Sequence, residues 1–362
     1  MSALILLLKV FLYFLPFVIL FIAVRETYYI VKIRLVNKLV YSREFSTSGT
    51  FVEDTVEIIE TITNTTCVPL FNVDVETYIH SNLRLEGREV SDGMQLVISR
   101  FQIPPYTKLT RRYTVKCAHR GYYTMSTATI LTKSIFAEKV KSFQFHADLY
   151  VYPKLLDRNQ YLSPINTQFG ESFTKRPVVS DPFSVAGIRD YMSGDSFNSI
   201  NFKATARSTF GGTPNIKVNK YDNCSDRIIM FFLNFSHDSD GTTQTEYENS
   251  MESALSMTAS AAYMALENGY KVGFAANCKM IDGRQNLHLP IMSGRQHITE
   301  LLMEMSKVWL LPGCSFSALL DMVAASNLKE AEVYILTMRS DESTDDAIGK
   351  IKRFNSVKVV EL

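Results

Sequence analysis

No CxxC pair, GxSxG elbow, Walker loop or HExxH helix occurs in the 362 residues of this chain. Those absences remove the paired-thiolate zinc site, the serine-hydrolase turn, the nucleotide-phosphate cradle and the zincin metal centre from consideration. Surplus charge is also missing, because 38 Lys and Arg stand against 37 Asp and Glu. Nucleic acid binding draws on an excess of cations on one face, so nucleic acid is set aside as a partner. Cysteine is sparse. Cys67, Cys117, Cys224, Cys278 and Cys314 are odd in number and scattered, which suits reduced thiols and not a disulfide scaffold. Cys117 and His119 share a strand face, but structural zinc takes four ligands and no second pair lies nearby. What is present is 46% hydrophobic and 21% charged residues in a length that suits two or three folded domains.

One long apolar run stands out. Ala3–Val24 carries a single charge, Lys9, and has the roughly 20 residues a helix needs to cross a hydrocarbon core of about 30 Å. Lys9 lies near the outer end, where its stem can snorkel, and Pro16 is tolerated in a membrane helix. A cleaved signal peptide is the rival reading, but the run is long and Ile22-Ala23-Val24-Arg25 is a poor cleavage site. Residues 1–25 are therefore read as a single-pass anchor and 26–39 as a basic juxtamembrane segment. Arg25, Lys32, Arg34, Lys38 and Arg43 all follow the span, which predicts a body on the cytoplasmic side of a cell membrane.

From 40 to 152 the pattern is period two, as in Val56-Glu57-Ile58, Val73-Asp74-Val75-Glu76 and Tyr113-Thr114-Val115-Lys116-Cys117. Asn64-Thr65-Thr66, Ser91-Asp92-Gly93 and Pro104-Pro105 separate the runs, and short strands at that spacing predict an all-β sandwich. The Tyr122-Tyr123 pair reads as core and rim aromatics in preference to a ligand-stacking pair.

Between 153 and 225 the periodicity fades. Some 70 residues without a repeat would be unusual as a free linker, so this connector is read as a structured belt. Inside it, Asp181–Ser208 packs Arg189, Asp190, Tyr191, Gly194, Asp195, Lys203 and Arg207 into DPFSVAGIRDYMSGDSFNSINFKATARS. The spacing Gly-x-Arg-x-Tyr-x-x-Gly-Asp, followed by Ile200, Phe202, Lys203 and Ala206-Arg207, resembles the signature of family 58 of the domains of unknown function. The run Ile103–Tyr106 through Arg111-Arg112-Tyr113 to Arg120–Tyr123 resembles the β region of the same family. Where relatives carry an Asp-Pro-Phe-Gly-like segment, this chain has Lys133–Ala137. Family members commonly have two N-terminal spans, and the 22 residues here cannot form a two-span hairpin.

The charged signature admits two readings. As a catalytic site, Asp190 or Asp195 would supply the acid or base and Lys203 and Arg207 would stabilise an anion. As a structural site, the same groups form an ion network with an Arg forked onto a carboxylate, and this is the reading with fewer assumptions. Gly194 before Asp195 predicts a tight turn. A short helix over 198–207 would put Lys203 and Arg207 one turn apart on one face, able to meet a phosphate or a partner's carboxylates.

The remainder, 226–362, alternates strand and helix. Arg227–Phe235 reads as a doubly buried parallel strand. Met251, Leu255, Thr258, Ala262 and Leu266 recur at helical spacing with Gly269 beyond their end. Strands at Lys271–Ala276, Val333–Leu336 and Val357–Val360 interleave with helices around Ile298–Met305, Phe316–Ala325 and Asp345–Phe354, which predicts an α/β domain with a mainly parallel sheet. The family resemblance implies that this three-layer, Rossmann-type domain is von Willebrand factor A-like. In that fold a metal sits at the first strand's end. The corresponding positions here are Asn234, Ser236 and Asp238, with Ser315 near the later Thr and Ser340-Asp341 near the later Asp. Exchanging the lead carboxylate for an amide makes the site degenerate, so no cofactor is expected, with Mg²⁺ the one to test. The resemblance also implies partnership with a MoxR-type AAA+ ATPase. The reading is a membrane-anchored interaction or assembly module. Its rival is a metal-assisted hydrolase using Asp195 and the Asn234/Asp238 loop.

Overall fold

The computed structural model describes residues 2–85, 93–133, 138–156, 185–208, 216–221, 227–236, 243–326, 328–338 and 341–362. Backbone contacts divide the chain into two compact units, Met1–Lys154 with Leu302–Lys307, and Leu155–Leu301 with Val308–Leu362.

The first unit begins with α1 (Ser2–Leu35), a continuous helix that holds Pro16 within it. Among the described residues it is the one helix long and apolar enough to cross a membrane. Beyond Arg25 the same helix continues through the segment read as juxtamembrane and is fastened to the β structure. The Tyr28 hydroxyl donates to the Pro69 carbonyl and accepts from the Phe71 N–H, and Lys32 Nζ donates to the Asn72 carbonyl at 2.9 Å.

Nine strands follow: β1 (Leu39–Phe45), β2 (Gly49–Phe51), β3 (Thr55–Asn64), β4 (Leu70–His80), β5 (Leu83–Leu85), β6 (Met94–Ile103), β7 (Lys108–Cys117), β8 (Gly121–Lys133) and β9 (Glu138–Tyr152). They form two sheets, ordered β1-β3-β7-β5 and β2-β9-β8-β4-β6. The period-two pattern puts alternate residues of each strand on one face, and those faces meet. Ile58 and Val115 of the first sheet share a core with Ile79, Val97, Leu149 and Val151 of the second. Each such side chain contributes about 1.5–3 kcal/mol by leaving water. Tyr123 is buried with its hydroxyl donating to the His119 carbonyl, while Tyr122 stacks on Tyr150 at 4.9 Å.

The second unit opens with β10 (Val185–Asp190), α2 (Phe202–Ser208) and β11 (Lys217–Tyr221), the two strands pairing antiparallel. Then come β12 (Ile228–Leu233), α3 (Gln244–Glu267), β13 (Lys271–Ala276), β14 (Cys278–Met280), β15 (Leu287–Met292), α4 (Arg295–Ser306), β16 (Val308–Pro312), α5 (Phe316–Ala325), β17 (Glu332–Thr337), α6 (Glu342–Lys352) and β18 (Ser356–Glu361). The main sheet has the order β15-β13-β12-β17-β18. Its strands are parallel except β15, which runs antiparallel on the edge beside β13. Pro290 falls on that edge strand, where a missing N–H is tolerated.

β12 is central and buried on both sides, which is why its apolar run is unbroken. Met230 and Phe232 pack with Leu319, Leu320, Ala347 and Ile351 of α5 and α6. Phe231 and Leu233 alternate to the other face. α3 packs on β12 and β13, burying Met251, Leu255, Thr258, Ala262 and Leu266. A capping box starts it: the Thr243 hydroxyl accepts from the Glu246 N–H while the Glu246 carboxylate accepts from the Thr243 N–H. Gly269 takes a φ of +81° just beyond its end. Strands β14, β15 and β16 fall where the periodicity predicts none, because two are short and the third is interrupted by proline.

Candidate functional site

Three adjacent parallel strands each close on one neutral polar residue: Asn234 directly follows β12, Asn277 directly follows β13, and Thr337 is the last residue of β17. Leu233 is in register with Ala276 and with Leu336, so the three polar positions are neighbours along the C-terminal edge of the sheet. All three are buried. Buried polar groups are costly unless paired, and these pair with one another. Asn234 Nδ2 donates to Thr337 Oγ1 at 3.1 Å, and Asn234 Oδ1 accepts from the Ser236 N–H at 2.9 Å and from Asn277 Nδ2 at 3.1 Å. Asn277 Nδ2 also donates to Ser236 Oγ and to the Cys314 carbonyl, while Asn277 Oδ1 accepts from the Phe235 N–H at 2.7 Å. The Tyr247 hydroxyl closes the set by donating to the Phe235 carbonyl at 2.8 Å.

The loop before α5 is pressed against this row. The Gly313 N–H donates to the Asn277 carbonyl at 2.7 Å, and a Cβ at Gly313 would stand 2.0 Å from the Gln285 carbonyl oxygen. Glycine is therefore required by space. Ser315 precedes α5 with its hydroxyl bonded to that of Ser317 at 2.8 Å. Asp238 and Ser340 lie outside the described residues.

A hard divalent ion at this edge needs charged oxygen ligands. Asn234 has both amide atoms engaged, Ser236 Oγ accepts from Asn277, and Ser315 is bonded to Ser317. Among the described residues no group of three or more His, Cys, Asp and Glu side chains is placed to hold a metal ion. The described donor set does not fit such an ion. It fits a self-satisfied polar edge.

The signature residues occupy a separate place, the β10–β11 hairpin and α2. Arg189 forks onto Asp195, with Nη1 donating to Oδ2 at 2.7 Å and Nη2 to Oδ1 at 2.6 Å. Asp195 also accepts from the Met192 N–H at 2.8 Å, and its own N–H donates to the Met192 carbonyl. This is the turn expected of Gly194, whose φ is +108°. Hydrogen bonds from Arg189 and the Met192 N–H hold the Asp195 carboxyl down at about 2. Asp190 pairs with Lys217 of β11, a partner the signature does not contain. The Tyr191 N–H donates to the Ile216 carbonyl.

Among the described residues the charged signature groups thus form two separate pairs, Arg189 with Asp195 and Asp190 with Lys217. Arg189 is 41% exposed at its side chain and Asp190 59%. Lys203 and Arg207 belong to neither pair. They lie on α2, where the Asn201 side chain accepts from the Ala204 N–H, and both face solvent. Of the groups that organise these two places, Asn277, Thr337 and Lys217 are absent from the motif reading. A visible signal for the first two is a single amide or hydroxyl closing each apolar strand.

Residues 187–345 match the profile of the family described as protein of unknown function DUF58. The chain is similar to the uncharacterized protein YeaD of Bacillus subtilis (strain 168), with 22% identity over 264 residues that make up 72% of this chain. The matched stretch spans 60% of that protein's length. Among solved structures, the chain shares 12% identity with a PapD-like domain of human CEP192, over 32% of this chain and 84% of that one, at a TM-score of 0.21. The seventh ScaB type I cohesin of Pseudobacteroides cellulosolvens shares 13% identity over 32% of this chain and 94% of its own, also at a TM-score of 0.21.

Proposed function

We propose that this chain is a membrane-anchored interaction and assembly module with a von Willebrand factor A-like C-terminal domain. Its body faces the cytoplasm and it works with a MoxR-type AAA+ ATPase. The observation that carries the reading is the row Asn234, Asn277 and Thr337. In open α/β sheets the C-terminal edge of the central strands is where ligands bind. Here that edge is furnished with amides and hydroxyls that satisfy one another, which suits a preformed docking edge better than proton transfer or nucleophilic attack. The sheet order, with one antiparallel edge strand beside four parallel ones, supports the domain assignment. The match to residues 187–345 supports the family to which the partner is tied.

The test is capture of a purified MoxR-type ATPase by the full-length chain in detergent. Binding is expected at low salt and weakens as salt rises, because exposed charge contacts are screened beyond about 8–10 Å at physiological ionic strength. Asp341, exposed at the start of α6, is one carboxylate to reverse, and Asp238, which follows β12 in sequence and lies outside the described residues, is the other. Asp238→Lys and Asp341→Lys should each reduce capture. Unchanged capture by both eliminates this edge as the contact, and no capture by the parent eliminates the ATPase as partner.

A further inference from the structure

We propose that the face of α2 turned toward the β10–β11 hairpin is a binding site for a phosphoryl group. A concavity of about 440 Å³ opens there, lined by Ile188, Asn201, Lys203, Arg207, Ser208 and Lys217. That volume falls within the range of small-molecule sites, about 300–1,000 Å³. Three of the lining residues are cationic and none is a carboxylate. Asp190, the carboxylate beside Lys217, is already engaged with it.

Lys203 and Arg207 differ from the other cations of this region. Arg189 and Lys217 each hold a carboxylate, whereas neither Lys203 nor Arg207 makes an ion pair or a side-chain hydrogen bond with any described residue. They stand four apart on one short helix, hence side by side on one face, where like charges repel. A bridging anion removes that repulsion. The guanidinium offers a planar fork suited to two oxygens of one phosphate, and the ammonium adds a point charge. A single carboxylate carries too little charge to answer both cations, whereas a phosphate monoester carries nearly two negative charges at neutral pH. Ile188, 54% exposed, supplies an apolar wall for whatever bears the phosphate. The geometry therefore points to an organic phosphate, either a soluble one or a phospholipid headgroup. This site is independent of the sheet edge proposed to meet the ATPase, and either reading can fail without the other.

The experiment uses the full-length chain in neutral detergent at low ionic strength. Inorganic pyrophosphate is titrated by calorimetry, and in a second arm the micelles are doped with phosphatidic acid or, as control, phosphatidylcholine. Saturable pyrophosphate binding is expected. Lys203→Gln and Arg207→Gln should each weaken it about tenfold, the loss expected of one charge-assisted hydrogen bond. The double variant should show no saturation. Both residues are exposed within the concavity and the substitutions keep good helix formers, and circular dichroism checks that the variants fold. Arg100→Gln, which removes an exposed cation paired with Asp74 in the first unit, should bind as the parent does. Binding to phosphatidic acid micelles alone, lost in the double variant, also supports the site and assigns the source to lipid. Absence of saturable binding in both arms overturns the proposal, as does equal affinity of parent and double variant.

Discussion

Asp195 shows how one carboxylate can organise a turn from the surface. It accepts from both nitrogens of the Arg189 fork and from the Met192 N–H, and the chain reverses at Gly194 to allow this. Its carboxyl is held at about 2, whereas an unfolded Asp titrates near 3.9. The folded value is depressed, so the stabilisation is fully present above about pH 3.9 and is lost as pH falls toward 2. Carbon-detected NMR titration of Asp195 should give a midpoint near 2 in the parent. In Arg189→Ala it should rise toward the ordinary value near 3.9. A midpoint that does not move would mean that the Met192 N–H alone sets the shift. At the same scale, Asn277 is invisible to motif reading because its meaning depends on Asn234 and Ser236, which are 43 and 41 positions away along the chain.

Among the elements, the β1–β3 pair carries a feature that alternation alone does not foretell. Arg43 stands opposite Glu60 in the register, and both are fully inside the sandwich at 1% and 0% exposure. Glu60 accepts hydrogen bonds from the Tyr41 and Tyr113 hydroxyls, each at 2.7 Å. Burial, together with the Glu60 carboxylate, pushes the Tyr41 phenol far up. A guanidinium stays charged at any ordinary pH, yet Arg43 Nε and Nη1 find no hydrogen-bond partner among the described residues, so the desolvation of this buried charge is only partly offset by its place opposite Glu60. Arg43→Met should therefore leave the urea midpoint of the full chain in detergent unchanged or raise it. A loss of about 3 kcal/mol or more, partly recovered on adding Glu60→Gln, would show instead that Arg43 compensates the Glu60 charge. Helix α1 teaches a related lesson. Its apolar run reads as a span of 22 residues ending at Val24, yet the helix runs on to Leu35 because Tyr28 and Lys32 find acceptors or donors around β4.

At the scale of the whole molecule, the Lys and Arg after the span predict the side of the membrane on which both units fold. A reporter active only in the cytoplasm, fused after Leu362, should be active, and activity of an export-side reporter at that position instead would reverse the orientation. Much of the architecture was legible beforehand. Period-two runs located the β region, and helical spacing located α3 through Met251, Leu255, Thr258, Ala262 and Leu266. Unbroken apolar runs located β12, β13 and β17. These are local properties, since burial on one face or on two writes its period directly into neighbouring residues. Within the signature the Gly194 turn and a short helix were also legible, whereas the pairing of β10 with β11 was not. Tertiary structure alone decided the rest. It set the strand order that brings Asn234, Asn277 and Thr337 side by side, the pairing of Asp190 with Lys217, and the freedom of Lys203 and Arg207 from any described ion pair. Partnership between polar groups depends on distances of about 3 Å between residues far apart in sequence, and no periodicity records those distances.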